Sequence, residues 1–91
     1  MSHSESDTAF FAVADKFIAL ANELARTEGT ATVGTALRYA AARYNAFEAS
    51  LAAVDLAKEK QSTLDMLTAD YGKMLLVNLD DHIARSTDTS S

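Results

Sequence analysis

The chain has no cysteine and no proline, and only three glycines among its 91 residues. Without cysteine there is no disulfide, no thiolate zinc site and no cysteine nucleophile. Without proline, and with so little glycine, the turn chemistry that sheets and tight hairpins rely on is missing. No uninterrupted apolar run approaches the roughly 20 residues of a membrane-spanning helix. The N-terminus shows no basic-then-apolar signal pattern. Positive charge is also short: eight Lys and Arg stand against thirteen Asp and Glu, a net of −5. The basic residues are scattered along the chain, whereas a phosphate-backbone ligand calls for a basic face. The expected setting is the cytoplasm, with neither nucleic acid nor membrane as a partner.

What is present is apolar and helix-friendly. Hydrophobic residues make up 48% of the chain, enough to oppose wholesale disorder. The length suits one small domain. A single core in so short a chain supplies only about 3–5 kcal/mol, so self-association would add useful burial. These features predict an all-α fold: a three-helix bundle or array with a long central helix. The helices are expected at about 7–27, 32–54 and 63–84. They would form a single helical domain over 7–85, between polar, disordered tails at 1–6 and 86–91.

The central stretch organises the rest. Val33, Leu37, Ala40, Tyr44, Phe47, Leu51 and Val54 alternate in steps of four and three, which places them on one stripe of a helix. Ala42, Ala46, Ala49 and Ala53 form a second stripe on the opposite side, small enough for another backbone to approach. A helix with two such faces is packed on both. The first helix, capped by Ser6 or Asp7, has an apolar face covering about half its circumference. Phe10, Phe11 and Phe17 lie on it. So wide a face can touch two other helices. Gly29 can take the left-handed conformation that ends a helix, with Thr30 or Thr32 capping the next. The short loop predicts an antiparallel hairpin of the first two helices.

The second boundary has no glycine or proline to mark it. Ser62 and Asp65 fit a capping box, which places a turn somewhere in 55–62; one continuous helix is the rival reading. The third helix then carries an apolar face of Leu64, Leu67, Tyr71, Met74, Leu75, Leu79 and Ile83. Gly72 on this helix is a point where another helix can come close.

No nucleophile with a positioned base is present, so no catalytic residue is assigned. Tyr71, Asn78 and His82 fall on the apolar side of the third helix, where polar groups need partners. With Tyr44 they form either a structural hydrogen-bond ladder or a small polar pocket, in which His82 would titrate. Asp80, Asp81 and His82 are consecutive on a helix and point about 100° apart, so they cannot converge on one metal ion. No Glu-x-x-His pair of the di-iron bundles occurs. Neither metal nor cofactor is expected.

Three segments resemble a known family: Phe11 to Leu24 (FAVADKFIALANEL), Ala36 to Phe47 (ALRYAAARYNAF) and Tyr71 to Ile83 (YGKMLLVNLDDHI). The resemblance is to a small proteobacterial family of unknown function, an uncharacterised all-helical domain. Where that family has an aromatic residue, usually Tyr, after the paired aspartates, this chain has His82. The resemblance implies a small helical cytoplasmic bacterial protein and supplies no activity.

The functional expectation is a small helical interaction module or accessory subunit, self-associating as a dimer or larger and open to another protein partner. Its candidate interface is Phe10, Phe11, Phe17, Ala42, Ala46, Ala49 and Ala53. The alternative is a small-molecule binder or enzyme with a pocket around Tyr44, Tyr71, Asn78 and His82.

Overall fold

The computed structural model describes the backbone of residues 3–89 and the side chains of residues 7–86. Three α-helices account for nearly all of it: α1 (His3–Glu28), α2 (Thr30–Ala52) and α3 (Leu56–Thr89), with no strand among the described residues. They contain 26, 23 and 34 residues. At 1.5 Å per residue α3 is about 51 Å long. The polar tails expected at 1–6 and 86–91 fall largely on residues whose side chains lie outside those described. Ser6 and Asp7, expected as caps, lie inside α1, which begins at His3.

A single residue separates the first two helices. Gly29 has φ 88°, a backbone conformation that costs an L-residue with a side chain roughly 1–2 kcal/mol. Its N–H donates to the carbonyl of Ala25 at 3.0 Å, and its own carbonyl accepts from the N–H of Val33 at 3.2 Å. The last turn of α1 and the first turn of α2 are thus each satisfied through the same glycine. Thr30 is already helical, so neither Thr30 nor Thr32 holds the cap position.

The second boundary lies earlier than the sequence predicts. The helix breaks at residues 53–55, and Asp55 caps α3. The Asp55 carboxylate accepts from the Lys58 N–H at 3.3 Å, while the Asp55 N–H donates to the Glu59 carboxylate at 2.8 Å. This is a reciprocal cap with the acidic partner four residues on instead of the usual three. Glu59 also places negative charge in the first turn of α3, where the helix dipole favours it. Ser62 and Asp65 are therefore mid-helix. The Ser62 hydroxyl donates to the Glu59 carbonyl at 3.0 Å, and Asp65 accepts from the Gln61 amide at 2.9 Å. Val54, placed by its spacing on the central stripe, sits in the break and is fully exposed. The stripe of α2 ends at Leu51.

The chain divides into two compact units, Met1–Phe47 and Glu48–Ser91. In the first, the half-buried positions are Ala14, Ala21 and Ala25 on α1 and Val33, Gly34 and Asn45 on α2. On α1 the three alanines recur at steps of seven and four, one stripe of the helix. The covered stripe of α1 is therefore its small-residue stripe, and its large apolar side chains stay outside. In the second unit the half-buried positions are Ala49, Ala53, Glu59, Thr63 and Leu67. Glu59, Thr63 and Leu67 recur at four-residue steps on one side of α3.

Candidate functional site

The feature that distinguishes this chain is that its large apolar side chains are left exposed. Among the described residues no side chain is buried, hydrophobic or polar. The solvent-accessible area is 7988 Å² for a chain of 9.7 kDa. Large apolar side chains on all three helices contribute to it. Isolated exposed apolar residues are ordinary, but contiguous ones mark a surface that meets something else.

On α1, Phe10, Phe11 and Phe17 are each about three-fifths exposed, at 59%, 60% and 61%. The Phe10 and Phe11 rings meet edge to face, with centroids 5.1 Å apart and planes at 72°. That contact is favourable in itself, yet it leaves most of both rings open. On α2, Ala42 and Ala46 are exposed, whereas Ala49 is half-buried. Ala53 is half-buried too, but it lies just past the end of the helix, its N–H donating to the Ala49 carbonyl at 2.9 Å. The alanine stripe thus has an open part and a partly covered part, in different units. On the opposite stripe the Tyr44 and Phe47 rings lie 5.9 Å apart, one turn from each other, and both are exposed.

The strongest apolar surface on α3 is one that periodicity alone undervalues. Met74, Leu75, Leu76 and Val77 are consecutive, and their exposures run from 43% to 67%. An amphipathic reading assigns Met74 and Leu75 to the apolar face and leaves Leu76 and Val77 to the other side. Four successive apolar residues in a helix instead occupy every side of it. The run itself was the signal in the sequence.

The four polar candidates are divided between the units. Tyr44 belongs to Met1–Phe47; Tyr71, Asn78 and His82 belong to Glu48–Ser91. All four are exposed. The Asn78 side-chain amide donates to the Met74 carbonyl one turn back, at 2.8 Å, which satisfies one of its donors within its own helix. Asp81 forms an ion pair with Arg85 at 2.7 Å across one turn. Both partners are largely in water, where such pairs contribute little. Among the described residues no group of three or more His, Cys, Asp and Glu side chains gathers as metal ligands. No helix over those residues is long and apolar enough to cross a membrane.

Residues 10–83 match the family model described as "Protein of unknown function (DUF3144)". The chain belongs to the DUF3144 family. The match covers most of α1, all of α2 and most of α3, including both interhelix breaks. No curated protein and no solved structure matches the chain. Membership of DUF3144 therefore carries the all-helical domain and no activity.

Proposed function

We propose that this DUF3144 chain is a helical interaction module whose apolar helix faces are covered by protein, first of all by another copy of itself. The observation that supports this is the absence of any buried side chain among the described residues of a chain with 48% hydrophobic composition. Burial of apolar area is the main force that holds helices together. Helices with so few covered large side chains lack much of that force until something else supplies the second surface. The candidate contact residues are Phe10, Phe11 and Phe17 on α1 and Ala42, Ala46, Ala49 and Ala53 along and just beyond α2. The open phenylalanine rings support the first group. The small side chains of the second suit close approach of another backbone.

Thermal unfolding followed by circular dichroism over a wide range of protein concentration tests the reading. Association that covers these faces makes the midpoint rise with concentration, because binding stabilises the folded state by mass action. A midpoint independent of concentration, with a sharp two-state transition, would overturn self-association as the source of stability.

A further inference from the structure

Beyond Leu67, every described side chain of α3 from residue 68 to residue 86 is exposed. Within this stretch the run Met74–Val77 makes the helix apolar at all azimuths, a level that is ordinarily buried. Around it the sequence narrows to a seam. Thr68, Gly72, Leu75, Leu79, His82 and Ser86 follow one another in steps of four and three, the spacing at which two helices pack side by side. Leu76 and Ile83 flank the seam on one edge and Tyr71 on the other. Asp70, Lys73, Asp80 and Asp81 lie toward the back of the helix, where charge stays in water.

We infer that two copies of the chain pair through this seam in antiparallel orientation. Leu75 of one copy packs against Leu79 of the other, and Gly72 of one receives His82 of the other. The inference deepens the self-association proposed above and rests on it. Three observations support it. The seam is self-complementary about its two leucines, as a two-fold interface requires. Its bulkiest polar side chain, the His82 imidazole, and its one residue without a side chain, Gly72, stand at equal distances from the centre. Antiparallel pairing puts the large group opposite the small one, whereas parallel pairing sets His82 against His82 and leaves a gap between two glycines. A Cβ built on Gly72 meets nothing within 4 Å, so the space over it is open within the chain. Finally, the apolar side chains of the seam are open: Leu75 is 43% and Leu79 51% exposed, and Leu76 and Ile83 beside them 59% and 62%.

The chain has no cysteine, so single introduced cysteines report only on this contact. Gly72→Cys and His82→Cys variants of the full chain are mixed, oxidised and resolved by mass, alongside light scattering of the unmodified chain. The pairing predicts that the mixed disulfide is the main product and that neither variant alone cross-links efficiently. Predominance of the symmetric Gly72→Cys product means parallel helices and overturns the pairing. A dimeric mass without cross-linking of either kind places the interface elsewhere; the seam then fails while self-association stands. A monomeric mass at all concentrations overturns both.

Discussion

The two compact units differ in how far each covers its own helices. In the first, half-buried positions extend along α1 from Ala14 to Ala25 and along α2 from Val33 to Asn45. In the second they run from Ala49 to Leu67 and then stop, although α3 continues to Thr89. The distal half of α3 is no less apolar for that: Tyr71, Met74, Leu75, Leu76, Val77, Leu79 and Ile83 all lie in it and all are exposed. A helix of this length gains little from propensity alone and depends on packing along an apolar face. The difference teaches where a second surface is most needed. The first unit leaves most of its large apolar side chains exposed but has half-buried positions along both helices. In the distal part of α3 every described side chain is exposed.

The comparison is broken most severely by putting a charge on the seam. Leu75→Asp removes an apolar contact that the chain itself does not bury. Were no partner present, an exposed substitution of this kind would change stability by no more than about 0.5 kcal/mol. With a second copy over Leu75, the carboxylate is trapped at an apolar contact, and the expected cost is about 3 kcal/mol, near a hundred-fold in Kd. Sedimentation velocity on the variant reads this directly as a shift to the monomer. A variant that keeps the wild-type dimer would show the distal helix to be uncovered in the assembly as well.

The next effect concerns the junction that gives the first unit its contacts. Gly29→Ala forces a side chain into a left-handed conformation and is expected to cost roughly 1–2 kcal/mol. Chemical denaturation of the variant should show a lower midpoint with an unchanged slope. No loss would mean that the junction readily adopts a different backbone path. The smallest effect is expected at the other junction. Asp55→Ala removes the oxygen that caps α3 at Lys58, for about 1 kcal/mol. Amide exchange at Lys58 should then accelerate more than exchange in the last turns of α1. Equal acceleration throughout would contradict a cap local to the second unit.

These junctions also explain which parts of the fold were legible in the sequence. Gly29 was legible because a left-handed residue between two helical periodicities has few substitutes for glycine. The start of α3 was not, because its stop signal is neither glycine nor proline. Asp55 and Glu59 stand four apart, one residue beyond the familiar box, while Ser62 and Asp65 match that box inside an unbroken helix. Spacing carried the stripe of α2 on to Val54 because periodicity continues past the point where the backbone does not. The apolar residues of α1 were legible as such: Phe10, Phe11 and Phe17, expected on its apolar face, are all exposed. What periodicity does not encode is whether a face is covered by its own chain. For that reason Ala14, Ala21 and Ala25, unremarkable among larger neighbours, turned out to line the covered side of α1. The polar four were read from spacing within single helices, which says nothing about Tyr44 relative to residues of α3.

The central claim is that the exposed apolar surface belongs to an interface between copies. Its most direct test is the solution mass of the unmodified full chain, by light scattering on a size-exclusion column over a range of loading concentrations. The account predicts a mass of at least twice 9.7 kDa, falling toward the single-chain value only on strong dilution. A constant 9.7 kDa up to high concentration would contradict it.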